Sequence, residues 1–499
     1  MVTFIIKVEK WCIKPESLAD LTLEEWRNVS GQGPDGCSLY DVDWDNFAQG
    51  EDLETSETRA CTKWDFDKTE FTSTITSEFS LLCGRDYLTS LAQTLYFVGM
   101  VLGVITFGVL ADIYGRKKVL VPLLLGMAVT GIVTSQMPSY VTFIIGRVLN
   151  AFLVIAIFES FFTYMLEFVG GRWSTVIGLG SMFVWVTGWL SLSGLAYLLR
   201  DWRQLMLFSS LPSLLSVLMY WMLPESPRWL LSVGKIQEAE EIVRAGARYN
   251  NIRLPQDFHL RPVQAPECGV KRRTVLDLFR YENMRIKTVI LYYNWFVNSF
   301  AYYGLSLNMG QLTGGSNVYM NFTISGLLEI PAYGAAIVIL LYWGRRIPYF
   351  VSILLCGVSL LSIVCLPSGV PDWVAVALTL FGKMCVTFSW GVLFLYNAEL
   401  FPTEVRTSGI GSCSFVGRFG GMVAPWVEML GKLYHPNIPS IIFGSTAVLA
   451  GLLAILLPET EGRELPYTLE EAEALQMGRF WKNKKSELGC SPVQMSNLE

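Results

Sequence analysis

Apolar positions along this chain come in long blocks rather than in alternation. Eleven stretches, near 87–110, 118–137, 141–166, 174–198, 203–223, 286–308, 319–343, 347–366, 373–396, 408–430 and 439–457, approach the length of a bilayer-crossing helix. Such a helix takes about 20 residues at about 1.5 Å each. None shows the period-two pattern of a membrane strand, and a backbone in hydrocarbon must satisfy its own hydrogen bonds, so the pattern predicts helices. A long polar loop, 224–285, divides them into five (87–223) and six (286–457).

Composition agrees. Of the 499 residues 52% are apolar or aromatic and 16% charged, which excludes an ordinary soluble domain and excludes disorder beyond Asp86. The charge is unevenly placed: residues 1–86 hold 8 Lys/Arg against 18 Asp/Glu, the remainder 30 against 25. No basic face for nucleic acid emerges. Lys and Arg gather in alternate short loops, at Arg116–Lys118, Arg172, 224–287, Arg345–Arg346, Arg406 and the tail 482–485, whereas 135–139 and 310–316 carry no charge. The positive-inside rule makes the first set cytoplasmic, and an odd helix count then puts residues 1–86 outside and the tail 458–499 inside. The acidic segment fits an oxidising, glycosylated location, because it contains Cys12, Cys37, Cys61 and Cys83 and the sequon Asn28-Val29-Ser30. Three disulfide pairings remain open. Two histidines and no metal-ligand spacing give no support to a metal enzyme, and no Walker loop or nucleophile elbow is present, so the chain reads as no enzyme with no cofactor.

The halves repeat. Gly115-Arg116-Lys117 recurs as Gly344-Arg345-Arg346, Gly146-Arg147 as Gly382-Lys383, Glu167 as Glu399, and Pro224-Glu225 as Pro458-Glu459, at offsets of 229 to 236. This order marks a duplicated transporter. Each match is expected at a cytoplasmic helix end, where cations offset the helix dipole and pair with acids. Asp112, Gly115, Arg116, Arg147, Glu167, Glu225, Arg228, Gly344, Arg345, Lys383, Glu399, Arg406 and Glu459 are thus candidate cytoplasmic gate residues. Within 224–285, residues 232–249 have the spacing of an amphipathic helix on the cytoplasmic face.

ADIYGRK (111–117), GRVLNAF (146–152), EFVGGRW (167–173), PESPRWLL (224–231), AELFPTEVR (398–406) and PETEG (458–462) resemble the major facilitator superfamily. TSEFSLLC (76–83), RDWRQL (200–205), GLSLNM (304–309) and EIPAY (329–333) narrow this to its organic cation, carnitine and organic anion transporters. The resemblance implies an all-α fold of two pseudo-repeated six-helix bundles, a midplane cavity and alternating access. It implies twelve helices where eleven are read. The family's first helix precedes the large extracellular segment, and MVTFIIKVEKWC is too short to span, so that helix is expected to be missing.

Matching by motif, an aspartate of the cation carriers is Arg418 here and a glutamate is Gly391, which points away from a simple cation site. An Arg within a span is expensive and faces a cavity or a partner, and its planar fork suits a carboxylate. Glu159 is a second charge deep in a span. With Arg418 it forms either a two-signed site for a zwitterion or an internal pair. Phe158, Phe162, Trp295, Tyr302 and Trp390 match aromatic cavity positions and suit quaternary ammonium. Trp185 and Trp189 share a face but read first as packing or interface-belt residues. The expected function is secondary-active transport of a small organic ion, favouring carnitine-like zwitterions or organic anions. Alternatives are an organic cation transporter, or a truncated non-transporting form that binds its full-length relative. Energy comes from sodium or proton coupling or from exchange; the partners are the substrate and the bilayer, in a plasma-membrane location.

Overall fold

A computed structural model describes residues 10–14, 18, 22–30, 36–42, 44, 57–169, 172–255, 258–260, 275–308, 318–367, 369–402, 405–461, 466 and 468–475. The uncharged loop 310–316 and the Lys-rich tail lie outside the described residues.

The acidic head forms a small unit of its own. Strands β1 (Lys10–Cys12) and β4 (Trp64–Phe66) pair antiparallel, as do β2 (Ser38–Tyr40) and β3 (Thr58–Ala60). Helix α1 (Leu23–Val29) begins with a capping box, in which the Thr22 backbone N–H donates to Glu25 and holds its carboxyl below the usual carboxylate range. Asn28 is exposed on α1, while Ser30 is buried and donates to the Trp26 carbonyl at 2.6 Å. The core around Trp26, Trp44 and Leu39 is too small to be stable without cross-links, and two disulfides supply them: Cys12–Cys61 and Cys37–Cys83. All four candidate cysteines are therefore used, and the pairing left open by the sequence is resolved. Helix α2 (Ile75–Glu78) leads into the helical body.

Bundle one contains α3 (Tyr87–Tyr114), α4 (Arg116–Ser135), α5 (Tyr140–Phe168), α6 (Arg172–Leu199), α7 (Trp202–Ser210) and α8 (Ser216–Met222). Helices α9 (Pro227–Ser232) and α10 (Ile236–Tyr249) follow, Ala239 of α10 packing on Trp229 and Leu230. Bundle two contains α11 (Glu282–Asn308), α12 (Val318–Leu327), α13 (Glu329–Tyr342), α14 (Arg346–Val364), α15 (Asp372–Leu400), α16 (Arg406–Leu433) and α17 (Ile438–Ala454), with α18 (Leu469–Ala474) beneath α11.

Two predicted spans are interrupted. The stretch 203–223 is α7, a 3-10 turn at Leu211–Leu215 and α8, because Pro212 removes a donor and clashes with the preceding turn. The stretch 319–343 breaks at Leu328, just before Pro331. Among the described residues eight helical segments have the length and composition to cross a membrane. The other three predicted spans are also helices but less apolar or shorter: α17 has 17 residues, α11 buries Asn294, Asn298 and Ser299, and α16 carries Arg418.

The bundles meet along α3–α16 and along α6 with α12 and α13. Two glycines seat α16 between α11 of its own bundle and α3 of the other. A Cβ at Gly420 would collide with the Phe296 carbonyl of α11, and one at Gly421 with the Phe97 ring of α3, so α16 fits between them only without side chains there.

Candidate functional site

Buried charge in an apolar body locates the site. Lys383 of α15 and Glu329 of α13 form an ion pair at 3.3 Å with both side chains 1% exposed. Lys383 also donates to Ser325 Oγ and stands 4.4 Å above the Trp189 ring of α6. Tyr302 donates to Glu329 Oε1 at 3.0 Å and accepts from Trp185 Nε1 at 3.2 Å. This group joins α6 of bundle one to four helices of bundle two, α11, α12, α13 and α15. A second pair crosses the same interface: Arg418 of α16 lies 3.7 Å from Glu159 of α5, which accepts from Ser414 Oγ at 3.1 Å. The carboxylate facing Arg418 is Glu159, and Glu329 Oε2 and Arg418 Nε are buried without a hydrogen-bond partner.

Aromatic rings fill the space between the pairs. Tyr302 stacks on Trp390 at 6.2 Å; Trp390 meets Trp295 at 5.6 Å; Trp295 meets Phe394 at 4.8 Å; and Phe394 meets Phe162 at 5.8 Å, itself stacked on Phe158 at 6.4 Å. All seven predicted cavity residues are thus brought together. The sequence reading missed Glu329 and Phe394, and took Trp185 and Trp189 first as packing or interface-belt residues. The signal for Glu329 was an acid inside an apolar span, within EIPAY.

Behind the wall runs a buried polar chain. Asn298 donates to Tyr349 Oη at 2.7 Å, Tyr349 donates to Asn294 Oδ1 at 2.8 Å, and Ser389 donates to Asn298 Oδ1 at 2.5 Å. These residues flank Trp295 and precede Trp390, so the chain fixes how α11, α14 and α15 present both rings. Tyr349→Phe leaves two amides short of a partner, at about 1–3 kcal/mol. Saturation uptake is expected to show KM raised about threefold or more with surface abundance retained.

Two matching clusters lie at the opposite end from the head. In bundle one Arg116 Nη2 contacts Glu167 at 2.9 Å and Arg116 Nη1 donates to the Ala111 carbonyl at 2.7 Å, while Glu225 accepts the backbone N–H groups of Arg116 and Lys117 at 2.9 and 3.0 Å. In bundle two Arg345 contacts Glu399 at 3.1 Å and donates to the Leu340 carbonyl at 2.8 Å, while Glu459 accepts from the Arg345 and Arg346 N–H groups at 3.0 and 3.1 Å. Carboxylates seated on the N-termini of α4 and α14 use the positive helix end in both halves. Each cluster pins three helix ends of its own bundle. Arg406 and Arg228 bind nearby carbonyls, of Phe401 at 3.1 Å and Val169 at 3.3 Å. The side chain of Asp112 lies outside the described residues.

Arg147 and Lys383 do not belong with these clusters, which corrects the sequence reading. Helices α5 and α15 start on the head side, so Arg147, seven residues into α5, sits in that half, bound to Gln93 at 2.9 Å and beneath the Tyr96 and Phe143 rings. Lys383, eleven residues into α15, is in the middle. A GR or GK pair has no direction of its own; the helix polarity decides which end it meets.

Gly115 and Gly344 have φ of +104° and +80°, and a Cβ on Gly115 would lie 2.6 Å from Glu225 Oε2. Gly234 has a φ of +80° with nothing within 4 Å. Gly115→Ala is therefore expected to lower the melting temperature of detergent-solubilised protein more than Gly234→Ala, which carries only the backbone strain of about 1–3 kcal/mol.

The sequence matches the family described as "Sugar (and other) transporter" over residues 43–472. The chain belongs to that family. Among its relatives, the Drosophila melanogaster "Organic cation transporter protein" is 35% identical, covering 92% of this chain and 84% of the relative. Xenopus laevis "Solute carrier family 22 member 6-A" is 35% identical, covering 89% and 81%, and human "Solute carrier family 22 member 13" is 34% identical, covering 91% and 79%. The solved structure of the proton:xylose symporter XylE of the major facilitator superfamily matches 80% of this chain and 93% of that one, with TM-score 0.59 at 20% identity, so the two chains share a fold. The protein is a multi-pass membrane transporter of the solute carrier 22 type rather than an enzyme.

Proposed function

We propose that this chain carries small organic ions by alternating access and that carnitine-like zwitterions are its preferred class. The observation that carries this reading is the presence of two acid–base pairs, Glu159–Arg418 and Glu329–Lys383, on one aromatic wall between the bundles. A betaine offers a quaternary ammonium to the ring faces and a carboxylate to a cation, so it replaces a pair's internal contacts on both sides at once. A simple cation satisfies only the acids. The names of relatives as organic cation transporters support the organic-ion class. In this reading the head, with Asn28 as a glycan site, is extracellular, and the Arg116 and Arg345 clusters serve as the cytoplasmic gate. Uptake of labelled carnitine, tetraethylammonium and a dicarboxylate in cells expressing the chain tests it. Carnitine uptake whose KM Arg418→Ala raises at least tenfold supports the proposal, and uptake of the cation alone, indifferent to Arg418→Ala, rejects it.

A second reading, a membrane protein that binds a transporting relative, draws on bundle one. Helix α11 packs centrally in bundle two against α15, α16 and α17, and the described residues hold no counterpart of it in bundle one. Bundle one contains a cavity of about 510 Å³ bordered by Arg147, Asn150, Trp185, Ser191 and Ser210. Equal saturable uptake by this chain and by a version with an apolar helix added upstream would remove this reading.

A further inference from the structure

The head is riveted to bundle one. Thr72 donates through its N–H and hydroxyl to the Arg200 carbonyl at 2.9 and 3.0 Å, Trp202 Nε1 donates to Glu78 at 2.7 Å, and Arg203 Nε donates to the same carboxylate at 3.1 Å. Phe79 packs among Tyr140, Phe143 and Trp202, and the Cys37–Cys83 disulfide ties the head's strands to the start of α3. The same segment also reaches bundle two. The Tyr319 hydroxyl of α12 donates to the Glu70 carbonyl at 2.6 Å, and its ring meets Phe71 at 5.1 Å. Phe71 is 5% exposed, held between Tyr319 and the α6–α7 residues Ala196 and Leu205. Tyr319, Phe322 and Ser325 follow one face of α12 inward, Phe322 stacking on Trp189 at 4.3 Å and Ser325 accepting from Lys383. The head-side contact of the bundles is completed by Trp426 Nε1 to Thr94 at 2.8 Å and Ser90 to the Pro425 carbonyl at 3.2 Å.

We propose that Glu70 and Phe71 form a strap by which the head, moving with bundle one, holds Tyr319 of bundle two and so biases the carrier toward closure on the head side. This rests on the alternating-access reading. When the bundles part on that side, Tyr319 must leave both partners, because the rest of the segment is fixed to bundle one. The head is then a working part of the cycle rather than a passive cover.

The test uses full-length protein lacking Cys268, Cys365 and Cys490, with Ser325→Cys as a reporter, labelled from the head side by a membrane-impermeant thiol reagent. Phe71→Ala and Tyr319→Phe are each expected to raise the labelling rate about five- to tenfold, the effect of losing a ring pair or a hydrogen bond. Tyr319→Phe keeps the ring and carries the test if Phe71→Ala fails to fold. In the same background without the reporter, bridging Phe71→Cys to Tyr319→Cys with a short bifunctional thiol reagent is expected to abolish uptake. Unchanged labelling in both variants, or parental uptake by bridged protein, overturns the strap. Raised labelling without uptake in any variant supports the strap and overturns the transport reading.

Discussion

Lys383→Ala is expected to remove most of the folded protein from the membrane, and Glu329→Gln combined with Lys383→Met to restore it. The pair is fully enclosed, with Lys383 further held by Ser325 and the Trp189 face, so removal of the cation strands a carboxylate in hydrocarbon surroundings. Breaking such a pair costs about 3–5 kcal/mol, against a total stability of about 5–15 kcal/mol for an ordinary domain, whereas replacing both members with uncharged groups of similar volume is near neutral. Fluorescence-detected size exclusion of the single and double variants measures this directly. Equal loss in the double variant would show that the charges themselves are not what holds these helices together.

Arg418→Ala is expected to change which charge the cavity accepts. Its guanidinium is the cation facing Glu159, and with it gone the acid is left to the cavity with Ser414 as its hydrogen-bond donor. A charge-assisted hydrogen bond contributes about 1.5–3 kcal/mol, so KM for a carboxylate-bearing betaine should rise about 10- to 150-fold. A monovalent organic cation should be taken up at least as well as before. Glu159→Gln should produce the opposite ranking. Saturation kinetics for both substrates in both variants provide the measurement, and parallel loss of the two substrates would mean that the pair is structural.

The fold was largely legible in the sequence because a bilayer leaves the backbone few choices: an apolar block of sufficient length becomes a helix whatever its neighbours do. The two breaks were harder, since Pro212 and Pro331 interrupt hydrogen bonding without changing hydropathy. The matched clusters were legible as well, because Arg116 with Glu167 and Glu225, and Arg345 with Glu399 and Glu459, repeat in the same order at offsets of 229 to 234 and both use helix ends close in sequence to a sharp glycine turn.

What the sequence could not supply was direction and partnership. Arg147 and Lys383 share a Gly-cation signature with the cluster residues, yet the polarity of α5 and α15 carries them to the head-side half and the middle. Glu329 and Lys383 are 54 positions apart, and Glu159 and Arg418 are 259 apart; nothing local says which acid meets which base. Trp189 reads as an interface-belt residue until α6 is laid against α12 and α15, where its face covers a buried ammonium. The sequence by itself determined the helices, the repeat and the inventory of intramembrane charges. Only the tertiary structure decided how those charges pair across the bundles and that the head reaches from one bundle to the other, because each depends on long-range packing that hydropathy and spacing do not encode.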